Sequence, residues 1–132
     1  MGKPNKGCYE FLVGLTYVTV TPAAPGNGVG RYAAEFLVDT GATDTFAPAG
    51  KLREAGIRPA GKTAYELANG AVVEYEFGLA QIEFMGEITA GRVIFGPEGA
   101  EPLLGVTALE SVGILVDPAH KTLKRLPAIP LK

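Results

Sequence analysis

The sequence contains a single cysteine, a single histidine and no tryptophan among its 132 residues. One cysteine excludes a disulfide within the chain and favours a reducing, cytoplasmic location. One histidine and one cysteine cannot supply the set of side chains that a structural zinc site needs, so we expect no metal site. The formal net charge is −2 and no long basic run occurs, so we expect no nucleic-acid partner.

Long apolar runs are also missing. The best candidate, residues 11–20, is shorter than the roughly 20 residues of a membrane span and is interrupted by threonine, so we expect no membrane association. Residues 1–8 have no apolar segment typical of a signal peptide, and we expect them to be flexible. The composition, 47% apolar and 20% charged, is that of a globular protein, and the length predicts one domain over residues 1–132.

The residues that are abundant predict an all-β fold. Eighteen glycines and ten prolines separate short segments rich in β-branched and aromatic residues. We expect strands at residues 15–21, 32–39, 87–95, 113–117 and 121–126, a hairpin around Asn69-Gly70, and short helices at residues 48–57 and 106–111. Many short strands with frequent turns indicate a barrel or a sandwich.

Several local signals refine this prediction. Pro22 is expected to end the first strand, and Asn27-Gly28 to form the turn after it. Pro48 is expected at the first position of a helix with Gly56 as its C-cap. The apolar alternation changes its parity after Gly78, which predicts a bulge or a bend there.

Nucleophilic catalysis has weak candidates. Ser111, His120 and Asp117 could supply a nucleophile, a base and an orienting carboxylate, but no nucleophile elbow surrounds the serine and Asp117 is typical of a turn. A pairing of Cys8 with His120 is weaker still. The glycine-rich residues 22–30 lack the Lys-Ser/Thr of a phosphate-binding loop.

The stretch LVDTGATDTF, residues 37–46, is more informative. Asp-Thr-Gly by itself is typical of an Asx turn after a strand, and Asp44 is expected to be a cap or turn residue. Here two apolar residues precede the motif, and PLLGV follows at residues 102–106. From residue 9 to 126 this pattern resembles the retropepsin-like aspartic proteases, the single-lobe relatives of pepsin. The resemblance implies a closed β-barrel half-lobe with one or two short helices and a flap hairpin.

The resemblance also implies the roles of single residues. Asp39 would be the catalytic carboxylate, the Thr40 hydroxyl would brace the active-site loops, and Gly41 would permit a tight turn and the close approach of substrate. The Thr43 hydroxyl would bond to the catalytic carboxylate.

Further residues would support the site or contact the substrate. Leu104 and Gly105 would support the active-site loop, and either Tyr65 or Tyr75 would lie on the flap. Substrate contacts are expected from Gly41, Ala42, Ala68, Asn69, Gly70 and Ala71.

The chain has one Asp-Thr-Gly, so an aspartate dyad requires a homodimer in which Asp39 faces its own copy. The resemblance therefore implies an aspartic endopeptidase acting on extended peptide or protein, without a cofactor. The alternative is a module of the same fold that binds peptide or dimerises without proteolysis. Val106 and Thr107 replace the polar residue that retroviral members use at the dimer, and Pro127 and Pro130 interrupt the last strand, so we expect a shorter or different interface.

Overall fold

The computed structural model describes residues 16–26, 32–117, 119–120 and 122–131. These residues form mostly β structure with two short helices, which confirms the predicted all-β class. The predicted Asn27-Gly28 turn, Cys8 and the predicted flexible residues 1–8 lie outside the described residues. The elements are β1 (Tyr17–Ala23), β2 (Ala34–Asp39), β3 (Thr45–Pro48), α1 (Ala49–Glu54), β4 (Pro59–Glu66), β5 (Val72–Phe84), β6 (Glu87–Gly96), β7 (Leu103–Gly105), α2 (Val106–Ser111), β8 (Ile114–Asp117) and β9 (Thr122–Arg125).

Seven strands form one sheet in the order β1-β2-β7-β3-β6-β5-β4. The β2–β7 and β3–β6 pairings are parallel, and the other pairings are antiparallel. In addition, β1 pairs with the second half of β5, so the pairings lead back to β1 after six strands and leave β4 outside this circuit. Strands β8 and β9 form a separate hairpin. Neither helix in the described part of the chain is long and apolar enough to cross a membrane.

Side chains on the inner face of the sheet form the core. In β2, Phe36 and Val38 are fully buried, whereas Leu37 and Asp39 are only partly buried. Because successive side chains of a strand point to opposite faces, Asp39 lies on the outer face. Burial of the inner residues therefore determines the direction of the Asp39 side chain. The other large buried side chains include Val20, Leu52, Ile57, Ile82, Phe84, Val93, Leu104, Leu109 and Ile114.

Pro22 lies inside β1, opposite Ile82 of β5, and the prediction that it ends the strand is wrong. The pairing of β1 with β2 ends at Val20, so at Pro22 the strand has β5 as its one described neighbour. A proline has no N–H to donate, and it is tolerated where one side of a strand has no partner.

The first helix begins one residue later than expected. Pro48 has the extended ψ of 136° and is the N-cap, because it still pairs with Gly96 in the sheet. The helix ends at Glu54 with Ala55 as its C-cap, and Gly56 follows with a φ of +84°. Glycine is common at this position beyond the C-cap because it adopts positive φ without strain. The second helix has its predicted bounds, 106–111.

The irregularity predicted near Gly78 is confirmed, although the extra residue belongs to the partner strand. Pro59 lies opposite Gly78 and Gly61 lies opposite Phe77, so Ala60 is the bulged residue of β4. A Cβ at Gly78 would lie 2.7 Å from the carbonyl oxygen of Arg58, so only glycine fits without a shift of the backbone. The bulge lies at the start of the pairing between β4 and β5, at the base of the hairpin that these two strands form.

Candidate active site

Asp39 is the last residue of β2 and lies beside the first glycine after the apolar pair of β7. In the parallel pairing of these strands Val38 lies opposite Leu104, and Asp39 lies opposite Gly105. The two sequence motifs, 66 positions apart, are therefore neighbours in space. Leu104 is fully buried.

A tight turn follows Asp39 and holds its carboxylate. The amide of Gly41 donates to Oδ1 of Asp39 at 2.9 Å, and the amide of Ala42 donates to the carbonyl oxygen of Asp39 at 3.1 Å. The first bond is that of an Asx turn. A Cβ at Gly41 would lie 3.3 Å from Oδ1, closer than most side chains tolerate. The aspartate is thus a turn residue as well as a candidate catalytic group.

The loop after Asp39 is fixed to the start of α2. The amide of Val106 donates to the carbonyl oxygen of Ala42 at 2.8 Å, and that of Thr107 donates to the carbonyl oxygen of Thr43 at 3.2 Å. These amides open a helix and have no partner within it, so the loop satisfies them. The contact leaves no room for a side chain at Gly105, whose Cβ would lie 2.6 Å from the carbonyl carbon of Asp44.

Thr45 is a structural residue that the sequence analysis missed. It is 2% exposed, and its Oγ1 accepts a hydrogen bond from the amide of Gly105 at 3.2 Å. The alternation of a strand could have identified it, because Thr45 is two residues before the buried Ala47 and so lies on the same, inner face of β3. A buried hydroxyl needs a partner, and here the partner is the glycine beside Asp39.

The hydroxyls of Thr40 and Thr43 do not bond to Asp39 within the described part of a single chain. Both residues are exposed. The expected role of Thr40 involves two copies of the loop and stays a prediction. The expected bond from Thr43 is not made in the single chain, in which the Thr43 contact is through its backbone.

A groove of ≈ 780 Å³ lies between the outer face of the sheet and the β4–β5 hairpin. Its size is in the range of ligand-binding clefts. Of the predicted site residues, five line it: Asp39, Gly41, Ala42, Thr43 and Ala68. It is also lined by Asp44, Phe46, Ala64, Tyr65, Glu66, Leu67, Tyr75, Ile94 and Leu103. The remaining predicted residues, Thr40, Leu104, Gly105, Asn69, Gly70 and Ala71, are not in the lining.

The hairpin tip differs from the expected two-residue turn. The amide of Leu67 donates to the carbonyl oxygen of Ala71 at 2.8 Å, and the amide of Gly70 donates to the carbonyl oxygen of Leu67 at 2.9 Å. Gly70 has a φ of +86°, whereas Asn69 does not adopt positive φ and instead accepts the amide of Ala71 through its side chain. The connection is therefore a three-residue loop with glycine at the bulge position, a common alternative to a type I′ turn.

Both candidate flap tyrosines lie in the groove lining. The Tyr65 hydroxyl donates to Oδ2 of Asp44 at 2.7 Å, and the Tyr75 ring packs edge-on against Phe46 with centroids 5.8 Å apart. Burial, and then the hydrogen bond to Asp44, raises the pKa of Tyr65 above its ordinary value of 10.0, although Arg92 lowers it in part. Asp44 is therefore an acceptor for the hairpin. Of its two expected roles, that of a helix cap is wrong, since α1 has no side-chain cap, whereas Asp44 does lie in a bend of the chain.

Charged side chains in the groove lining are all acidic. Asp39, Asp44 and Glu66 supply carboxylates, and no lysine, arginine or histidine is among the lining residues. In the part of the chain that the structure describes, no three or more metal-binding side chains come together. The chemistry that these residues can perform is that of carboxylates and backbone groups.

The candidate nucleophile Ser111 has other partners. Its Oγ lies 2.7 Å from Oγ1 of Thr89 and donates to the carbonyl oxygen of Ala108 at 2.8 Å. The exposed His120 pairs through Nδ1 with Oδ2 of Asp117 at 2.8 Å. Among the described residues, the histidine makes no bond to the serine, so a serine triad is not formed.

The arrangement of an outward-facing Asp-Thr-Gly, a glycine loop beside it and a hairpin over a groove is that of the aspartyl protease class. The family model described as "gag-polyprotein putative aspartyl protease" matches residues 27–111, which include both motifs and the hairpin. The chain belongs to this family, which is of the retropepsin type, as its motifs predicted. No curated protein matches the chain.

Proposed function

We propose that the protein is an aspartic endopeptidase that hydrolyses peptide bonds of extended polypeptides. The observation that supports this most is the position of Asp39 at the end of β2, in the lining of a groove of ≈ 780 Å³. Its carboxylate is oriented by the amide of Gly41. A carboxylate held in one orientation does not need to be reorganised when the reaction begins.

The proposal includes a homodimer, because hydrolysis by this chemistry needs two carboxylates and the groove of one chain holds one Asp-Thr-Gly. A two-fold axis beside the Asp39 loop would bring Asp39 of one subunit to Asp39 of the other. Two carboxylates in contact share one proton, because like charges so close do not both ionise; aspartic proteases are the well-known example.

In such a dyad the two carboxylates have different roles. The ionised carboxylate removes a proton from water while the water oxygen bonds to the scissile carbonyl carbon. The protonated carboxyl donates its proton to the carbonyl oxygen, which gives a neutral tetrahedral diol. The carbon–nitrogen bond then breaks as the nitrogen takes the proton that the first carboxyl removed from water, while the second, now ionised, carboxylate takes a proton from a diol hydroxyl. A carboxylic acid and an amine are released, and the dyad again holds one proton.

The hairpin is proposed to be the flap that covers the substrate. Strand β4 pairs with β5 alone among the described strands, so the backbone groups of its other edge are available to an extended peptide. Closure of a hairpin over the groove would exclude water from the reacting bond. Phe46, Ile94 and Leu103 in the groove lining would contact apolar side chains of the substrate.

The test is Asp39→Asn, with Asp117→Asn as the matched control. Asp117 is the last residue of β8, its side chain is 32% exposed, and it is not among the residues that line the groove. With a library of unstructured peptides, we expect Asp39→Asn to abolish cleavage and the control to cleave at the wild-type rate. Undiminished cleavage by Asp39→Asn would refute the proposal. Binding of peptides by the wild-type protein without cleavage would favour the non-proteolytic module.

A further inference from the structure

The Tyr65 hydroxyl of the β4–β5 hairpin donates a hydrogen bond to Asp44 in the loop that follows Asp39. We propose that Tyr65 is a positioning residue, which fixes the distance between the hairpin and the Asp39 loop at the value at which the hairpin covers the substrate. This distance is called the height of the hairpin. This inference rests on the proposed peptidase function for its effect on turnover. The position of the hairpin itself can be measured without any turnover.

The bond connects two segments that are 21 positions apart in the sequence. Tyr65 lies in the last part of β4, opposite Val73, and close to the hairpin tip. Asp44 lies in the loop that begins at Asp39, five residues earlier. A movement of Tyr65 relative to Asp44 therefore changes the distance between the hairpin and the candidate catalytic carboxylate.

Tyr65 also interacts with Arg92, and its ring centroid lies 6.3 Å from that of Tyr75; the other described contacts of the hairpin lie on its second strand or nearer to its base. Tyr75 contacts Phe46 through ring edges, and the Arg92 guanidinium lies 4.1 Å from the centre of the Phe77 ring. Arg92 also donates to the Thr63 hydroxyl at 3.2 Å. Ring contacts depend weakly on exact position, whereas a hydrogen bond is directional. The bond from Tyr65 to Asp44 is thus the contact that selects one height of the hairpin.

The chemistry of this bond suits a fixed position. A phenol that donates to a carboxylate at 2.7 Å makes a charge-assisted hydrogen bond, and this one is partly buried. The groove keeps a volume of ≈ 780 Å³ while the bond is made. The substrate therefore does not have to break the bond to enter the groove.

The central variant is Tyr65→Phe, which removes the hydroxyl and keeps the ring. The matched control is Tyr17→Phe, because Tyr17 also donates to a carboxylate, that of Glu101 at 3.0 Å, but on β1 and outside the groove lining. Asp44→Ala removes the acceptor, and the double variant Tyr65→Phe/Asp44→Ala tests whether both residues act through one bond.

Two measurements are made on each protein. The first is amide hydrogen exchange of residues 62–76 in the free protein. The second is a set of KM and kcat values for one peptide that the wild type cleaves. We expect Tyr65→Phe to speed hairpin exchange and to raise KM about tenfold with kcat changed less than about twofold, the size expected for the loss of one charge-assisted bond. Asp44→Ala should behave similarly, and the double variant should be no worse than the worse single variant.

Three results would overturn the inference. The first is a Tyr65→Phe variant whose hairpin exchange rates and KM equal those of the wild type. The second is a Tyr17→Phe variant whose exchange rates and KM change as much as those of Tyr65→Phe. The third is a double variant whose increase in KM equals the product of the increases in the two single variants. A thermal unfolding scan of each variant separates a moved hairpin from a damaged fold. If the wild type cleaves no peptide, the proposed function fails, and hydrogen exchange alone then decides the role of Tyr65.

Discussion

Gly105 lies directly opposite Asp39 in the parallel pairing of β2 and β7, with no space for a side chain. A Cβ there would lie 2.6 Å from the carbonyl carbon of Asp44 and 2.7 Å from the carbonyl oxygen of Thr43. These are backbone atoms of the candidate catalytic loop, so they cannot rotate away as a flexible side chain can. The glycine of the second motif thus allows the loop of the first motif to close against it.

Gly105→Ala should therefore displace the loop. Its backbone, with φ −82° and ψ 163°, suits any residue, so the cost comes from the collision and not from the conformation. We expect the free energy of unfolding to fall by about 1–3 kcal/mol, the usual cost of an overpacked site, together with a loss of peptide cleavage. Urea denaturation measures the first effect. The control is Gly91→Ala in β6, where a Cβ meets nothing within 4 Å. Equal stabilities of the two variants would contradict this explanation.

Thr45→Val tests the buried bond under Gly105. Valine has nearly the shape of threonine, but it removes the acceptor at 3.2 Å from the Gly105 amide. An unsatisfied buried N–H costs about 1–3 kcal/mol, so we expect a loss of stability of that order and faster hydrogen exchange of the Gly105 amide. Thr122→Val, an exposed position of β9, should change stability by less than about 0.5 kcal/mol. Retention of full Gly105 protection in Thr45→Val would show that the bond is unimportant.

The sequence predicted those parts of the site that depend on local pattern. It predicted the strand that ends at Asp39 and, through the resemblance, the LLG segment of the site. It predicted neither the outward direction of the Asp39 side chain nor the pairing of that strand with LLG. The contact of Tyr65 with Asp44 joins residues 21 positions apart and depends on how the hairpin folds over the loop. No local periodicity predicts how the hairpin folds over the loop, which is why Asp44 was expected to be only a cap or turn residue. Pro22 was misjudged for a related reason, since its tolerance depends on which strands lie beside β1.

The alkaline titration of Tyr65 should report the hairpin contact. Its pKa is raised above 10.0 by burial and by the bond to Asp44, so the phenol stays neutral and remains a donor from neutral pH to about 10. A group whose pKa is raised in the folded state stabilises that state fully below its unfolded pKa and loses this effect as the pH rises through the folded pKa. The stability difference between wild type and Tyr65→Phe should therefore be constant from neutral pH to about 10 and decrease above it.

Phenolate absorbance provides the direct measurement of this titration. The difference between the wild-type and Tyr65→Phe titrations isolates Tyr65 from Tyr17 and Tyr32, whose pKa values are also raised. A difference titration with its midpoint at or below the ordinary value of 10.0 would show that Asp44 does not hold the phenol in solution.

Mixing of subunits tests the dimer more directly than dilution alone. If the active species holds one Asp39 from each of two chains, a mixed dimer of wild type and Asp39→Asn has a single carboxylate and cannot share a proton between two. An excess of Asp39→Asn should then lower the activity of a fixed amount of wild type towards zero, after incubation long enough for subunits to exchange. An equal excess of Asp117→Asn should raise total activity instead, because that variant keeps Asp39.

Specific activity of the wild type alone should also fall on dilution, since dissociation separates the two carboxylates. If neither an excess of Asp39→Asn nor dilution changes the specific activity of the wild type, a single chain contains the complete catalytic site. The dyad mechanism would then be wrong.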